Sequence, residues 1–268
     1  MTDVHDIAAA CARIDGVHPL NDSARLVLGG DRPGQLLREP GGFAVLDDHD
    51  QTVLVAVAPE QRRHGIGSRL LRQALQLRPG HSVWAFGTLP AARALAARVG
   101  LVPVRELLRM GRDLGVEAAA LPAAGYTIRS FAPADAPAVV AVNRAAFAHH
   151  PEQGRLSLDD FHALTRQSWF DPAGLLVAHI DEQIVGFHWT KRHDETTGEV
   201  YVLAVHPDVE GQGIGRELLN SGLAHLRTVG CRRVELYVEA SESRVVRLYR
   251  NAGFDVSSTD TNYRQENS

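Results

Sequence analysis

Two side chains in the second half of this chain could move protons. Glu199 stands at the head of the apolar run Val200-Tyr201-Val202-Leu203-Ala204-Val205, and its carboxylate can act as a base. Tyr249 stands four residues before Gly253. A phenol with a reference pKa near 10 can donate a proton. Between the two lies Glu210-Gly211-Gln212-Gly213-Ile214-Gly215. Glycines there permit positive φ and close approach to the backbone. The helical period that follows leaves the first N–H groups of a helix without internal partners, and the dipole favours an anion. A pyrophosphate is the natural occupant. The loop is not a Rossmann fingerprint, because Leu218 stands where the third glycine would be, and not a P-loop, because no Gly-Lys-Ser/Thr follows.

The same segment occurs twice. Glu199 to Pro207, followed by Gly213-Ile214-Gly215, aligns without a gap on Gln51 to Pro59, followed by Gly65-Ile66-Gly67. The first copy has Gln51 at the position of Glu199 and Ala96 at that of Tyr249, four residues before Gly100. Neither can move a proton, so the first copy is expected to be catalytically silent.

The elements that must position these residues follow the same order in both halves. In the second, strands are expected at Tyr126–Arg129, Leu175–Ile180, Ile184–Thr190, Glu199–Val205 and Val234–Val238. Helices are expected from Pro133 through Phe147, over Ile214–Val229 and over Ser243–Asn251. In the first half, strands at Gly42–Leu46, Val53–Val57 and Val83–Phe86 and helices at Ile66–Leu77 and Pro90–Val99 predict an abbreviated sheet. The run Val116 to Gly125 is rich in small residues, contains Pro122 and reads as a linker. The expected division is therefore a first domain at 1–116, a linker at 117–124 and a catalytic domain at 125–268, each an α/β (α+β) unit with a mixed, twisted sheet flanked by helices.

Composition excludes several classes. With 268 residues, 44% hydrophobic and 22% charged, the chain can bury two ordinary cores. A net charge of −4 and no basic tail give no reason to expect nucleic acid. No stretch approaches the roughly 20 apolar residues of a membrane span, and the N-terminus lacks a signal-peptide pattern. Cys11 and Cys231 form no CxxC pair, and the thirteen histidines include no HExxH, so no metal is expected. A cytoplasmic monomer is the expectation.

Residue by residue, the loop and the helix after it resemble the GNAT acetyltransferase superfamily. Its diphosphate loop reads Gln/Arg-x-x-Gly-x-Gly/Ala. Arg62-x-x-Gly65-x-Gly67 satisfies it; the second copy departs, with Glu210 at the first position. Tyr249-Arg250-Asn251-Ala252-Gly253-Phe254 is similar to the family's second mark. The resemblance implies that the strand Leu203-Ala204-Val205 splays from its neighbour, pairs with the pantetheine arm of acetyl-CoA and offers an N–H to the thioester oxygen. Acyl transfer to an amine then needs Glu199 to deprotonate the ammonium and Tyr249 to protonate the departing thiolate. A carboxylate at Glu210 would sit near a phosphate and weaken its binding.

The second half more specifically resembles the mycothiol synthases, a tandem GNAT family of actinobacteria. The matching phrases are His149-His150-Pro151-Glu152-Gln153-Gly154, Trp169-Phe170-Asp171-Pro172, Gly186-Phe187-His188-Trp189-Thr190-Lys191, Gly198-Glu199-Val200-Tyr201-Val202 and Leu236-Tyr237-Val238-Glu239. This implies a small-molecule acceptor, cysteinyl-glucosaminyl-inositol, whose cysteine α-amine is acetylated in the last step of mycothiol biosynthesis. Acceptor positions carry over to Asp22, Glu152, Lys191, Glu199 and Tyr237; Asp22 is one methylene shorter than the family's usual Glu. Acetyl-CoA positions carry over to Leu203, Ala204 and Val205; to Glu210, Gly211, Gln212, Gly213, Ile214, Gly215 and Arg216; and to Glu242, Ser243, Arg244, Val245, Val246 and Arg247. In the first half they fall on Val55, Ala56, Val57, Arg63, His64, Gly65, Ile66, Gly67 and Ser68. Two other readings stay open: a GNAT enzyme for another amine, such as an aminoglycoside or a peptide N-terminus, and a non-catalytic acetyl-CoA sensor.

Overall fold

The computed structural model describes residues 3–115, 125–148 and 153–266. The expected linker at 117–124 lies outside them. Contacts divide the chain into two compact units: 1–109 with 239–243 and 256–268, and 110–238 with 244–255. The units interleave in sequence rather than following the linear division at the linker. The reason is the last strand, which pairs with the first unit.

The first unit begins with helices α1 (Val4–Asp15) and α2 (Asp22–Gly29). Strands β1 (Gly34–Glu39), β2 (Gly42–Asp47) and β3 (Thr52–Val57) form an antiparallel meander. Helix α3 (Ile66–Leu77) crosses to β4 (Ser82–Ala85), which is parallel to β3. Helix α4 (Pro90–Arg98) and the long β5 (Leu101–Asp113) follow. The expectation of an abbreviated sheet is overturned: the sheet is extended by β1 and by β11 (Asp255–Gln265), which pairs antiparallel with β4 through Thr261↔Ala85, Asn262↔Trp84 and Tyr263↔Val83. All six residues of β2 are buried. Successive side chains point to opposite faces. Ala44 and Leu46 pack under α3 with Leu70, Leu71 and Ala74, while Phe43 and Val45 pack under α1 with Ile7, Ala8 and Cys11.

The second unit repeats this plan. Strands β6 (Thr127–Ser130), β7 (Leu175–Ile180), β8 (Gln183–Arg192) and β9 (Thr197–Val205) run antiparallel in that order. Helices α5 (Ala136–Ala146) and α6 (Leu158–Thr165) cover one face, with Val139, Phe161, Val177, Phe187 and Trp189 in that core. Helix α7 (Ile214–Thr228) covers the other through Ile214 and Leu218, against Leu176, Ala178 and Val185. Strand β10 (Arg233–Glu239) is parallel to β9, and α8 (Ser243–Asn251) follows it. Among the described residues no helix is long and apolar enough to cross a membrane.

Candidate active site

In the second unit, β9 and β10 are in register only over Thr197–Glu199 and Arg233–Glu235. Both strands continue, to Val205 and Glu239, so they part at Glu199 and Glu235. The other edge of β9 stays paired: Leu203, Ala204 and Val205 face His188, Phe187 and Gly186 of β8. The edge turned to β10 is the one an extended arm can join as an added strand. At the end of β9 the chain enters the loop, where Gly211 and Gly213 have φ of 83° and 87°. Gly213 is the N-cap of α7, and no side chain caps that helix, whereas Asn21 and Ser157 cap α2 and α6. The first turn of α7 thus keeps its N–H groups for an anion. A Cβ on Gly215 would lie 3.5 Å from Val205 Cγ2, so the helix start sits against the parted strand.

Where the strands part, charged groups share one face. Lys191 of β8 is directly opposite Glu199, and Glu199 is in register with Glu235 of β10. Directly opposed residues point the same way, and Tyr237, two residues beyond Glu235, follows them. Glu199 is 8% exposed. Its Oε2 lies 2.8 Å from Nε2 of the exposed His193. The hydrogen bond to Glu199 lifts the His193 pKa above the usual imidazole value, against the opposing effects of partial burial and Lys191; the charge of Glu235 adds to the lift. A bulge between Trp189 and Thr190 inserts Tyr201 into β9. Lys191 Nζ sits 4.9 Å from the ring centre of Trp169 and 5.3 Å from that of Tyr201, both within cation–π range. The two rings themselves meet at 5.1 Å, edge to face.

Tyr249 on α8 is buried, and its ring lies 5.7 Å from that of Phe254. Burial raises its pKa well above the usual phenol value, so it stays protonated across the working pH range. The carboxylate of Glu210 was expected to oppose a phosphate. Instead Arg244 of α8 donates to it, so the loop's acid already has a cation on it. Of the other α8 positions, Arg247 is exposed and Val246 faces the core.

The first unit contains the same parting and the same loop. Strands β3 and β4 are in register only over Thr52–Val53 and Ser82–Val83. A cavity of about 630 Å³ opens there. It is lined by Val55, Ala56, Val57, Arg63, Gly65, Ile66, Gly67 and Ser68, which is every expected position except His64. Gly65 has φ 81° and caps α3 without a side-chain hydrogen bond. Arg62 is committed elsewhere: it donates to Asp15 at 2.8 and 2.6 Å and to the Val57 carbonyl at 3.2 Å.

The structure brings Glu199, Lys191 and Tyr237 onto one face and Gly211–Gly215 to the end of the same strand. Asp22 belongs to the first unit, exposed in the first turn of α2. Glu152 lies outside the described residues. Sequence reasoning missed His193, Tyr201 and the role of Trp169. The hairpin register accounts for His193: Lys191 is opposite Glu199, and His193, two residues further along, points to the same face.

Comparison with known proteins agrees with this geometry. The sequence profile described as "Acetyltransferase (GNAT) family" matches residues 35–101 and 144–254, one match in each copy. The chain is 45% identical to a mycothiol acetyltransferase of Propionibacterium freudenreichii, over 97% of this chain and 87% of that one. It is 40% identical to a mycothiol acetyltransferase of Saccharopolyspora erythraea, over 97% and 93%. Among solved structures, a GCN5-related N-acetyltransferase from Sphaerobacter thermophilus superimposes with a TM-score of 0.73 at 24% identity, covering 96% of this chain and 89% of that chain. A tandem GNAT protein from the clavulanic acid biosynthesis pathway gives 0.68 at 18%, covering 98% and 94%; these two establish the tandem fold. A twofold repeat of one acetyltransferase plan, matched by the profile in both copies, and relatives 40–45% identical over nearly the whole chain place this chain in the GNAT family, among the mycothiol acetyltransferases.

Proposed function

We propose that this N-acetyltransferase moves the acetyl group of acetyl-CoA to the cysteine α-amine of cysteinyl-glucosaminyl-inositol, completing mycothiol. The observation that carries the reading is the shared face of Lys191, Glu199, Glu235 and Tyr237 where β9 and β10 part. The acceptor is a polyol bearing one cation. Carboxylates suit its ammonium, while an ammonium and a phenol suit its hydroxyls.

Each step has a residue suited to it. Glu199 takes a proton from the acceptor ammonium, and the freed amine attacks the thioester carbon. As the C–N bond forms, a backbone N–H on the free edge of β9 holds the developing oxyanion. The C–S bond then breaks and the thiolate takes a proton, for which Tyr249 is the donor. The phenolate left on Tyr249 regains a proton from solvent once the thiol departs, and burial favours that return. The uncapped start of α7 receives the pyrophosphate. The first unit has a cavity and a loop for a CoA nucleotide but neither proton-moving group, and we assign it a non-catalytic role.

Steady-state assays of the purified protein with acetyl-CoA and cysteinyl-glucosaminyl-inositol test the reading, beside thiol analysis of a deletion strain. Turnover of this acceptor and accumulation of the unacetylated thiol in the deletion strain are expected. Turnover only of aminoglycosides or peptide N-termini would retire the acceptor while keeping the chemistry. Binding of acetyl-CoA with no turnover of any amine would leave a sensor.

A further inference from the structure

We propose that His193 is the proton outlet of Glu199: it receives, through the carboxylate, the proton taken from the acceptor ammonium and passes it to solvent. The proposal rests on the reading of Glu199 as the base. A buried carboxylate that has accepted a proton must lose it before the next turnover, and Glu199 is nearly closed off from water. The group at 2.8 Å from its Oε2 is the Nε2 of His193, whose side chain is 39% exposed. The imidazole thus meets the base through Nε2 while its side chain as a whole keeps 39% of its surface in solvent.

The loop that carries His193 is held in place for this. The His193 N–H donates to the Thr197 carbonyl at 3.0 Å, closing the β8–β9 turn. Within that turn the Asp194 carboxylate accepts from the Thr196 N–H at 2.7 Å, the Thr196 hydroxyl at 2.9 Å and the Thr197 N–H at 2.9 Å, and these bonds lower its pKa to about 2. Arg192 donates to the carbonyls of Asp194 and Glu195 at 2.9 and 3.3 Å. These contacts hold the turn with groups of its own backbone and side chains.

The proton balance is simple. An N–H bond of the ammonium breaks and an O–H bond forms on Glu199. That proton passes to Nε2 of His193, Nδ1–H releases one to water, and the ring then exchanges its Nε2 proton for one on Nδ1 through solvent, so that Nε2 can accept again in the next turnover. The amine is left neutral and ready to attack the thioester, and no oxidant or further reactant is needed. The relay works only when His193 starts neutral, because an imidazolium already donating to Glu199 leaves the carboxylate a poor base. The charged groups around the imidazole are Glu199 of β9 and Glu235 of β10, which favour its protonated form, and Lys191 of β8, which opposes it. The two carboxylates prevail, so His193 titrates above the ordinary imidazole value. The acid limb of activity then belongs to this histidine and not to an isolated carboxylate.

The test is the pH profile of kcat/KM for the acceptor, at saturating acetyl-CoA, in the wild type, His193→Gln and Glu199→Gln. Beside it runs an NMR titration of the His193 ring in the wild type and in Glu199→Gln. The acceptor amine, with a reference pKa near 8, titrates identically in all three profiles. We expect the wild-type acid limb to coincide with the His193 titration, and that titration to fall in Glu199→Gln. In His193→Gln the acid limb should move down by about one pH unit or more, toward the range of a lone carboxylate. An unmoved acid limb in His193→Gln overturns the proposal. Should that variant not fold, a wild-type His193 titration that does not match the acid limb overturns it equally. Near wild-type kcat in Glu199→Gln would instead remove the base itself, a different failure from an intact base whose acid limb ignores His193.

Discussion

The two Gly-x-Gly loops carry opposite charges at matching positions. In the first unit the loop begins with Arg62, held by Asp15 of α1. In the second it begins with Glu210, held by Arg244 of α8. Either way the charge at the head of the loop is met by a helix of its own unit, leaving the backbone of the glycine turn to meet a phosphate. At the next position the second loop has Gly211 with φ 83°, where the first has Arg63 with φ 69°. A non-glycine there costs on the order of 1 kcal/mol, which the second loop avoids. Where the units truly part is at their proton-moving groups. The second unit has Glu199 and Tyr249; the first has Gln51 and Ala96. Both copies keep a left-handed glycine at the start of an uncapped helix, and the proposed acid–base pair has counterparts in neither Gln51 nor Ala96.

The contrast breaks most sharply at Glu199. Glu199→Gln gives the second unit the residue of the first, and kcat should fall by about 10²–10⁴-fold. Raising the pH should restore part of it, because the acceptor amine, with a reference pKa near 8, then arrives partly neutral. Near wild-type kcat across a pH–rate profile would remove Glu199 from the mechanism. Tyr249→Phe should lower kcat by about 10–100-fold with KM for acetyl-CoA almost unchanged, and higher pH should not rescue it. A pH–rate profile in which it is rescued would make Tyr249 a packing residue only.

The loops offer a paired comparison. Gly213→Val places a branched side chain at φ 87° beside the anion site and should raise the Kd for acetyl-CoA about tenfold or more. Gly65→Val should leave kcat nearly intact. Calorimetry and turnover on both folded variants decide the matter. An equal loss of kcat would make the first unit a participant in the reaction, and unchanged binding in Gly213→Val would displace the phosphate site. The smallest effect is expected at Glu210→Gln, which frees Arg244. A surface ion pair is worth roughly 0–1 kcal/mol, so acetyl-CoA affinity should change by no more than a few-fold, toward tighter binding. Markedly weaker binding would mean that Glu210 holds Arg244 where the nucleotide needs it.

Much of the site was legible because its signals are local. An apolar strand, two glycines and a helical period adjoin one another, so β9, the loop and α7 could be read together, and their twins confirmed the frame. The first half was less legible. Helix α1 buries Val4, Ile7, Ala8 and Cys11, a helical stripe, but small residues make that stripe weak. Strand β5 contains Pro103 and four charged residues from Arg105 to Arg112, with no clean alternation. Its conformation is set by partners remote in sequence. The same holds for β11, whose polar Thr261 and Asn262 are buried against β4; Asn262 donates to the Ser82 hydroxyl at 2.9 Å. At the site, Glu199 was readable from its place on the strand. His193 and the bulged Tyr201 depend on register, which periodicity does not report.

The placement of β11 has a consequence for how the chain is made. Its residues Thr261–Tyr263 pair with β4, so during synthesis the first unit waits, with β4 unpaired on that side, until that distant segment has emerged. Pairings of such long sequence separation are slow to form, and an open strand edge is a template for aggregation in the meantime. A fragment ending before β6 would therefore be an unfinished sheet rather than a free-standing half. A nascent chain should stay protease-sensitive in its first hundred residues until β11 (Asp255–Gln265) emerges.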